Sequence, residues 1–188
     1  YLVTPANYLV SLTRVLTATP PGQRPPRIVI GEDAKLVPAA MGRKPRLLVI
    51  VVGETARAAN WGLSGYERQT TPELAKLDVI NFSNVTACGS STEVSLPCMF
   101  SPYGRHDYDR QKIRSHQSLL HVLDRAGVHT LWRDNQSGCK GVCEGLAVQS
   151  MDDTPDPSLC NDTRCFDEIL LKDWRKAVGA QAGDQVVL

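Results

Sequence analysis

Arg46-Leu47-Leu48-Val49-Ile50-Val51-Val52, ending abruptly in Gly53-Glu54-Thr55, is the stretch on which the fold turns. An unbroken run of branched apolar residues reads as a strand buried on both faces, the kind found in a parallel sheet under helices. In open α/β sheets the ligand site lies beyond the carboxyl ends of the strands. A carboxylate there, directly after a glycine, is placed to hold a metal or a polar substrate. Glu54 is equally readable, from this segment alone, as a solvated turn residue.

Working outward, strands and helices alternate. Thr71 and Pro72 open a short helix over 72–77, with a Thr cap and Pro in its first turn. Val79 to Val85 alternates and predicts a strand. Ser115 to Ala126 is amphipathic and stops at Gly127; Val128 to Trp132 reads as the next strand. Phe166 to Val178 predicts another helix, and Asp184 to Leu188 a strand only just begun. Alternation of this kind predicts an α/β fold with a largely parallel sheet flanked by helices. The catalytic portion is expected over residues 46–188. Residues 1–45 are expected to hold a lead helix over 1–18 and a proline-rich linker, with a short strand at Arg27-Ile28-Val29-Ile30. The lead helix suits either packing on the body or a lipid surface.

Composition narrows the classes. With 188 residues and a net charge of +1, the chain has one ordinary core and no general field for nucleic acid. No run of about 18 apolar residues predicts a membrane span. Six cysteines fall in close pairs, Cys88 with Cys98, Cys139 with Cys143 and Cys160 with Cys165. Even, local pairs suggest disulfides and an oxidising compartment, although proximity alone does not fix the connectivity. The last two pairs also suit the knuckles of a structural zinc site.

The second informative segment is Thr86-Ala87-Cys88-Gly89-Ser90-Ser91-Thr92-Glu93-Val94-Ser95-Leu96-Pro97-Cys98-Met99. A strand runs into a turn of small hydroxyl residues, and a helix follows. Helix N-termini suit phosphate, and a hydroxyl there becomes a nucleophile when a metal or base lowers its pKa. The plainer reading is that Ser90, Ser91 and Thr92 only cap the helix. A Cys88–Cys98 bridge would hold the turn rigidly, which favours a reacting group.

Taken in order, Val52-Gly53-Glu54-Thr55-Ala56-Arg57, Gly65-Tyr66-Glu67-Arg68, Asn81-Phe82-Ser83-Asn84-Val85, Cys88-Gly89-Ser90-Ser91-Thr92, Ser95 to Ser101 and Trp132 to Cys143 closely resemble the lipid A phosphoethanolamine transferases. The mobile colistin-resistance enzymes are among these. The resemblance covers residues 1–188 and is strongest over 46–143. It implies an alkaline phosphatase/sulfatase-like fold and a periplasmic domain of a Gram-negative inner-membrane protein, anchored through an N-terminal transmembrane region. It implies transfer of phosphoethanolamine from phosphatidylethanolamine to lipid A through a threonine intermediate, with polymyxin and colistin resistance as the result. The implied nucleophile is Thr92, and Glu54 with Thr92 are the implied zinc ligands. Lys140, helped by Asn135, is expected to contact the phosphoethanolamine group, and the three cysteine pairs match family disulfides. Further zinc ligands, an aspartate-histidine pair, are expected beyond Leu188, so this chain alone is expected to be an incomplete, inactive enzyme. His106, His116, His121 and His129 do not match those ligands. The rival readings are a related metal-dependent phosphatase or sulfatase, and a noncatalytic disulfide-stapled binding domain.

Overall fold

Four strands hydrogen-bond in parallel in the computed structural model, which describes residues 6–17, 25–37, 44–53, 56–151, 156–161, 163–180 and 182–188. They are β1 (Leu47–Val49), β2 (His129–Asp134), β3 (Ala147–Ser150) and β4 (Gln185–Val187). The order across the sheet is β1-β4-β2-β3. Leu48 lies opposite Val186, Thr130 opposite the same Val186, and Trp132 opposite Val148. The last of the described strands is therefore central, flanked by β1 and β2. The helices are α1 (Ala6–Leu16), α2 (Thr92–Met99), α3 (Arg110–Ser115), α4 (Leu119–Arg125) and α5 (Trp174–Gly179). This is the parallel-sheet α/β fold that the sequence predicts.

The core forms where α2 and α4 meet one face of β2. Leu96, Phe100, Leu120, Trp132, Val142 and Cys143 are buried together, with Ile50, Leu123 and Leu188 packed against them. Phe100 and Trp132 meet edge to face at 6.3 Å between ring centres, a favoured aromatic arrangement. Each of α2, α4 and β2 thus contributes a large side chain to one cluster.

Several elements depart from the sequence reading. β1 spans three residues, not seven, and Leu47, Leu48 and Val49 are all exposed, so the strand is not buried on both faces. Its sheet position explains this: β1 pairs only with β4, at the edge of the four described strands. Residues 79–85 form no strand, and Ile80, Phe82 and Val85 are exposed; an alternating pattern needs a sheet neighbour to become a strand. The helix over 72–77 shrinks to one 3-10 turn, Leu74–Lys76. The predicted helix over 115–126 starts at Leu119, because Ser118 is its N-cap and takes a hydrogen bond from Leu120 N. Phe166 to Val178 splits into a 3-10 turn, Asp167–Leu171, and α5, with Asp173 between them in the left-handed region at φ 52°. At Arg27 to Ile30 the only pairing is a single parallel bridge of Ile28 with His116. β3 and α3 are additions that the sequence reading lacked.

The loop before the 3-10 turn carries a defined ionic anchor. The Asp156 carboxylate accepts from Lys172 Nζ at 2.8 Å and from Ser158 Oγ at 2.6 Å. Lys172 above all, then Ser158, holds the Asp156 pKa down to about 2. A depressed carboxyl pKa stabilises the fold above the ordinary carboxylate value, and that contribution is lost as pH falls toward the folded-state value. Lys172→Met is expected to flatten the acid side of the stability curve between about pH 4 and pH 2. Urea unfolding at stepped pH checks this; an acid limb identical to wild type would remove the anchor from the account.

Candidate functional site

Parallel strands send their following loops to one edge of the sheet, and the candidate site assembles there. The loop after β2 carries Lys140, and α2 presents its first turn toward it. Thr92 is the first residue of α2 and is partly buried. Ser91, in extended conformation, is its N-cap, and the Ser91 carbonyl accepts from Val94 N at 3.0 Å and Ser95 N at 2.9 Å.

Three constraints fix Thr92. Leu96 and Cys98 anchor the buried side of α2. The Cys88–Cys98 disulfide ties the preceding loop to the last turn of the helix. Gly89 allows the loop to lie against the helix: a Cβ there would sit 2.8 Å from Val94 Cγ1. Valine is stiff at χ1 and does not swing aside cheaply. Gly89→Ala is therefore expected to cost about 1–3 kcal/mol, measured by thermal unfolding; a variant as stable as wild type would show that the loop is free to shift.

The Lys140 turn is equally constrained. Lys140 and Gly141 both have positive φ, 51° and 92°. The Asp134 carboxylate accepts from Gly138 N at 2.8 Å, starting the turn at the end of β2. The Cys139–Cys143 disulfide closes it. From below, Ser118 Oγ donates to Val142 O at 2.7 Å, and His121 Nε2 meets Glu144 O at 2.9 Å. His121 is thus a buried capping and packing residue.

Between the two constrained parts stands Glu93, the residue after Thr92. Its carboxylate pairs with Arg114 of α3 and lies 4.0 Å from Lys140 Nζ. Lys140 Nζ also donates to Ser137 O at 2.8 Å, and its side chain is 14% exposed. Two cations and one carboxylate therefore surround the first turn of α2, a net positive setting for an anionic group. Glu93 stands out in the sequence only as Thr92's neighbour. Arg114, 21 positions from Glu93, gives no sequence signal for its place here.

Of the residues singled out from sequence, the fold brings Lys140 to the first turn of α2. Asn135 sits on the same loop, but its side-chain amide donates to Cys165 O at 3.2 Å and Asp167 Oδ1 at 3.1 Å. Glu54 lies outside the described residues. The cysteines pair as Cys88–Cys98, Cys139–Cys143 and Cys160–Cys165 and none is free, which overturns the zinc-knuckle reading. Among the described residues no group of three or more His, Cys, Asp or Glu is placed to hold a metal. No helix among them is long and apolar enough to cross a membrane.

Comparison with known proteins identifies the family and the fold. The profile of the sulfatase family matches residues 46–188. The chain is 40% identical over 164 residues to the phosphoethanolamine transferase EptA of Salmonella typhimurium, covering 87% of this chain and 30% of that protein. It is 45% identical over 153 residues to the phosphatidylethanolamine transferase Mcr-1 of Escherichia coli, covering 78% of this chain and 28% of that protein. The crystal structure of the soluble domain of lipooligosaccharide phosphoethanolamine transferase A from Neisseria meningitidis superposes with a TM-score of 0.81 at 42% identity, covering 86% of this chain and 49% of that one. The chain thus spans under a third of the length of these curated relatives.

Proposed function

The chain belongs to the sulfatase family, and from that premise we propose that it transfers phosphoethanolamine from phosphatidylethanolamine to a lipid A phosphate through an intermediate on Thr92. The observation that carries this reading is the first turn of α2, where Thr92 is followed by Glu93, whose carboxylate meets Arg114 and Lys140. The names of the similar proteins supply the transferred group.

In this scheme the Thr92 hydroxyl gives up its proton and its oxygen bonds to the phosphorus of the donor. The phosphorus–oxygen bond to diacylglycerol breaks, and diacylglycerol leaves with a proton. Thr92 then carries phosphoethanolamine. A lipid A phosphate oxygen attacks the same phosphorus, the bond to Thr92 breaks, and the hydroxyl is restored, giving ping-pong kinetics. Lys140 offsets negative charge on the group in transit, with Asn135 helping it to contact that group. Zinc, held by Glu54 and Thr92, would lower the pKa of the hydroxyl. Zinc takes about four ligands, so two oxygen donors need partners from outside the described residues. Three disulfides suit an oxidising compartment such as the periplasm. Residues 1–45 would connect this domain to an inner-membrane anchor, and modification of lipid A would confer polymyxin and colistin resistance.

The test is intact mass spectrometry of the protein in its natural length, produced with phosphatidylethanolamine and followed by peptide mapping. A phosphoethanolamine mass on the peptide holding Thr92 is expected. Protein with its disulfides formed and zinc bound, yet with no adduct, would overturn the intermediate in favour of a hydrolase or a noncatalytic domain.

A further inference from the structure

The segment before β1 is strapped onto the body at the Lys140 turn. Ile28 N donates to Ser115 O at 2.7 Å, and Gln117 N donates back to Ile28 O at 2.9 Å. Arg125 Nη1 donates to Ile30 O at 2.7 Å and Gly31 O at 3.2 Å. These bonds fix residues 28–31 against the ends of α3 and α4. They also fix where the neighbouring Arg27 side chain lands.

Arg27 lands on the turn that holds Lys140. One Glu144 carboxylate oxygen accepts from its Nη2 at 2.8 Å and its Nε at 3.1 Å, and His116 O accepts from Nη1 at 3.4 Å. The guanidinium lies so close over Gly141 that a Cβ there would sit 2.3 Å from Nη2. Gly141 and Lys140 are the two consecutive residues of positive φ in this turn. A planar cation pressed on the glycine, with its charge paired to the carboxylate at the turn's far end, blocks relaxation of the left-handed pair. The Arg27 side chain is 19% exposed against 50% for Glu144, so the guanidinium is the buried half of the pair.

We propose that Arg27 is a positioning residue for Lys140: by covering Gly141 and pairing with Glu144, it locks the turn that aims the lysine at the first turn of α2. The segment preceding the sheet is thereby a working part of the site and not a passive tether. The functional weight of this inference rests on the role proposed for Lys140, but its test reads the turn itself.

Trace acetylation of the 188-residue chain, quantified lysine by lysine by peptide mapping, provides that test. In Arg27→Ala the Lys140 rate is expected to rise about fivefold relative to Lys112 and Lys176 in the same molecules. Lys112 lies on α3 beside the strap, so it reports general loosening. An unchanged Lys140 rate, or a rise shared by all three lysines, overturns the proposal. Glu144→Gln keeps Arg27 but removes its carboxylate, and is expected to give the same selective rise if Arg27→Ala fails to fold. A double-mutant cycle supplies the second reading. Gly141→Ala pushes the far end of Arg27 off Glu144, so its stability cost should be smaller in the Arg27→Ala background; additive costs would overturn the contact. None of these readouts requires transferase activity, so they stand or fall separately from the reaction proposed above.

Discussion

Thr92→Ala is expected to abolish uptake of phosphoethanolamine, with turnover reduced on the order of 10⁴-fold or more, in a protein that still folds. The fold survives because other groups anchor α2. The first-turn amides of Val94 and Ser95 bond to the Ser91 carbonyl, and burial is supplied by Leu96 and Cys98 further along. Alanine is also well tolerated in a helix. Chemistry fails because no other hydroxyl stands in the first position of this helix; Ser91 is the extended cap and Ser90 precedes it in the loop. Thr92→Ser keeps the reacting atom and is expected to retain the adduct. The comparison needs only adduct mass and turnover on wild type and both variants. Near-normal turnover in Thr92→Ala would move the nucleophile to Ser90 or Ser91.

The second large effect is expected at Trp132. Trp132→Ala should cost about 3–5 kcal/mol, against a total of about 5–15 kcal/mol for a domain of ordinary stability. Trp132 is 6% exposed and sits where β2, α2 and α4 converge. Its removal strips Phe100 of its edge-to-face partner and leaves Leu120 facing a cavity. A fall in Tm of about 6–20 °C follows from that range. Trp132→Phe should lose much less. It keeps an aromatic ring against Phe100 and deletes an indole N–H that finds no partner among the described residues. Calorimetry on the two variants decides this; equal losses would mean that ring size, not core position, sets the effect.

How much of this was legible beforehand depends on what each signal measures. The parallel α/β architecture followed from the alternation of apolar strands and amphipathic helices, and β2, β4 and α4 stand near the positions read. The burial of β1 was misread because composition reports what a strand prefers, not how many neighbours reach it; its residues are exposed at a sheet edge. The 79–85 stretch failed for the same reason. Short spacing suggested the disulfide pairs, since nearby cysteines meet with little chain to close, and the family resemblance implied the same connectivity. The resemblance named Thr92 and Lys140, but not the Glu93 carboxylate that follows Thr92 and reaches Lys140. Glu93 meets Arg114 from 21 positions away and Arg27 meets Glu144 from 117, and no local pattern marks either meeting.

The place of β4 in the sheet also sets an order of events during synthesis. The strand that joins β1 to β2 is the last of the four described strands to be made, and the Arg46 amide must await Asp184, 138 positions later. Until then β1 has no strand beside it, and the sheet remains two separate pieces. Each disulfide, by contrast, spans 10 positions or fewer. Oxidation can therefore finish on the emerging chain while the sheet is still waiting. Distant pairings of this kind form slowly and leave apolar edges open meanwhile. The Thr92 and Lys140 turns would then be stapled before the sheet that unites them exists, and the arrival of β4 becomes the moment at which the two halves of the site acquire a common frame.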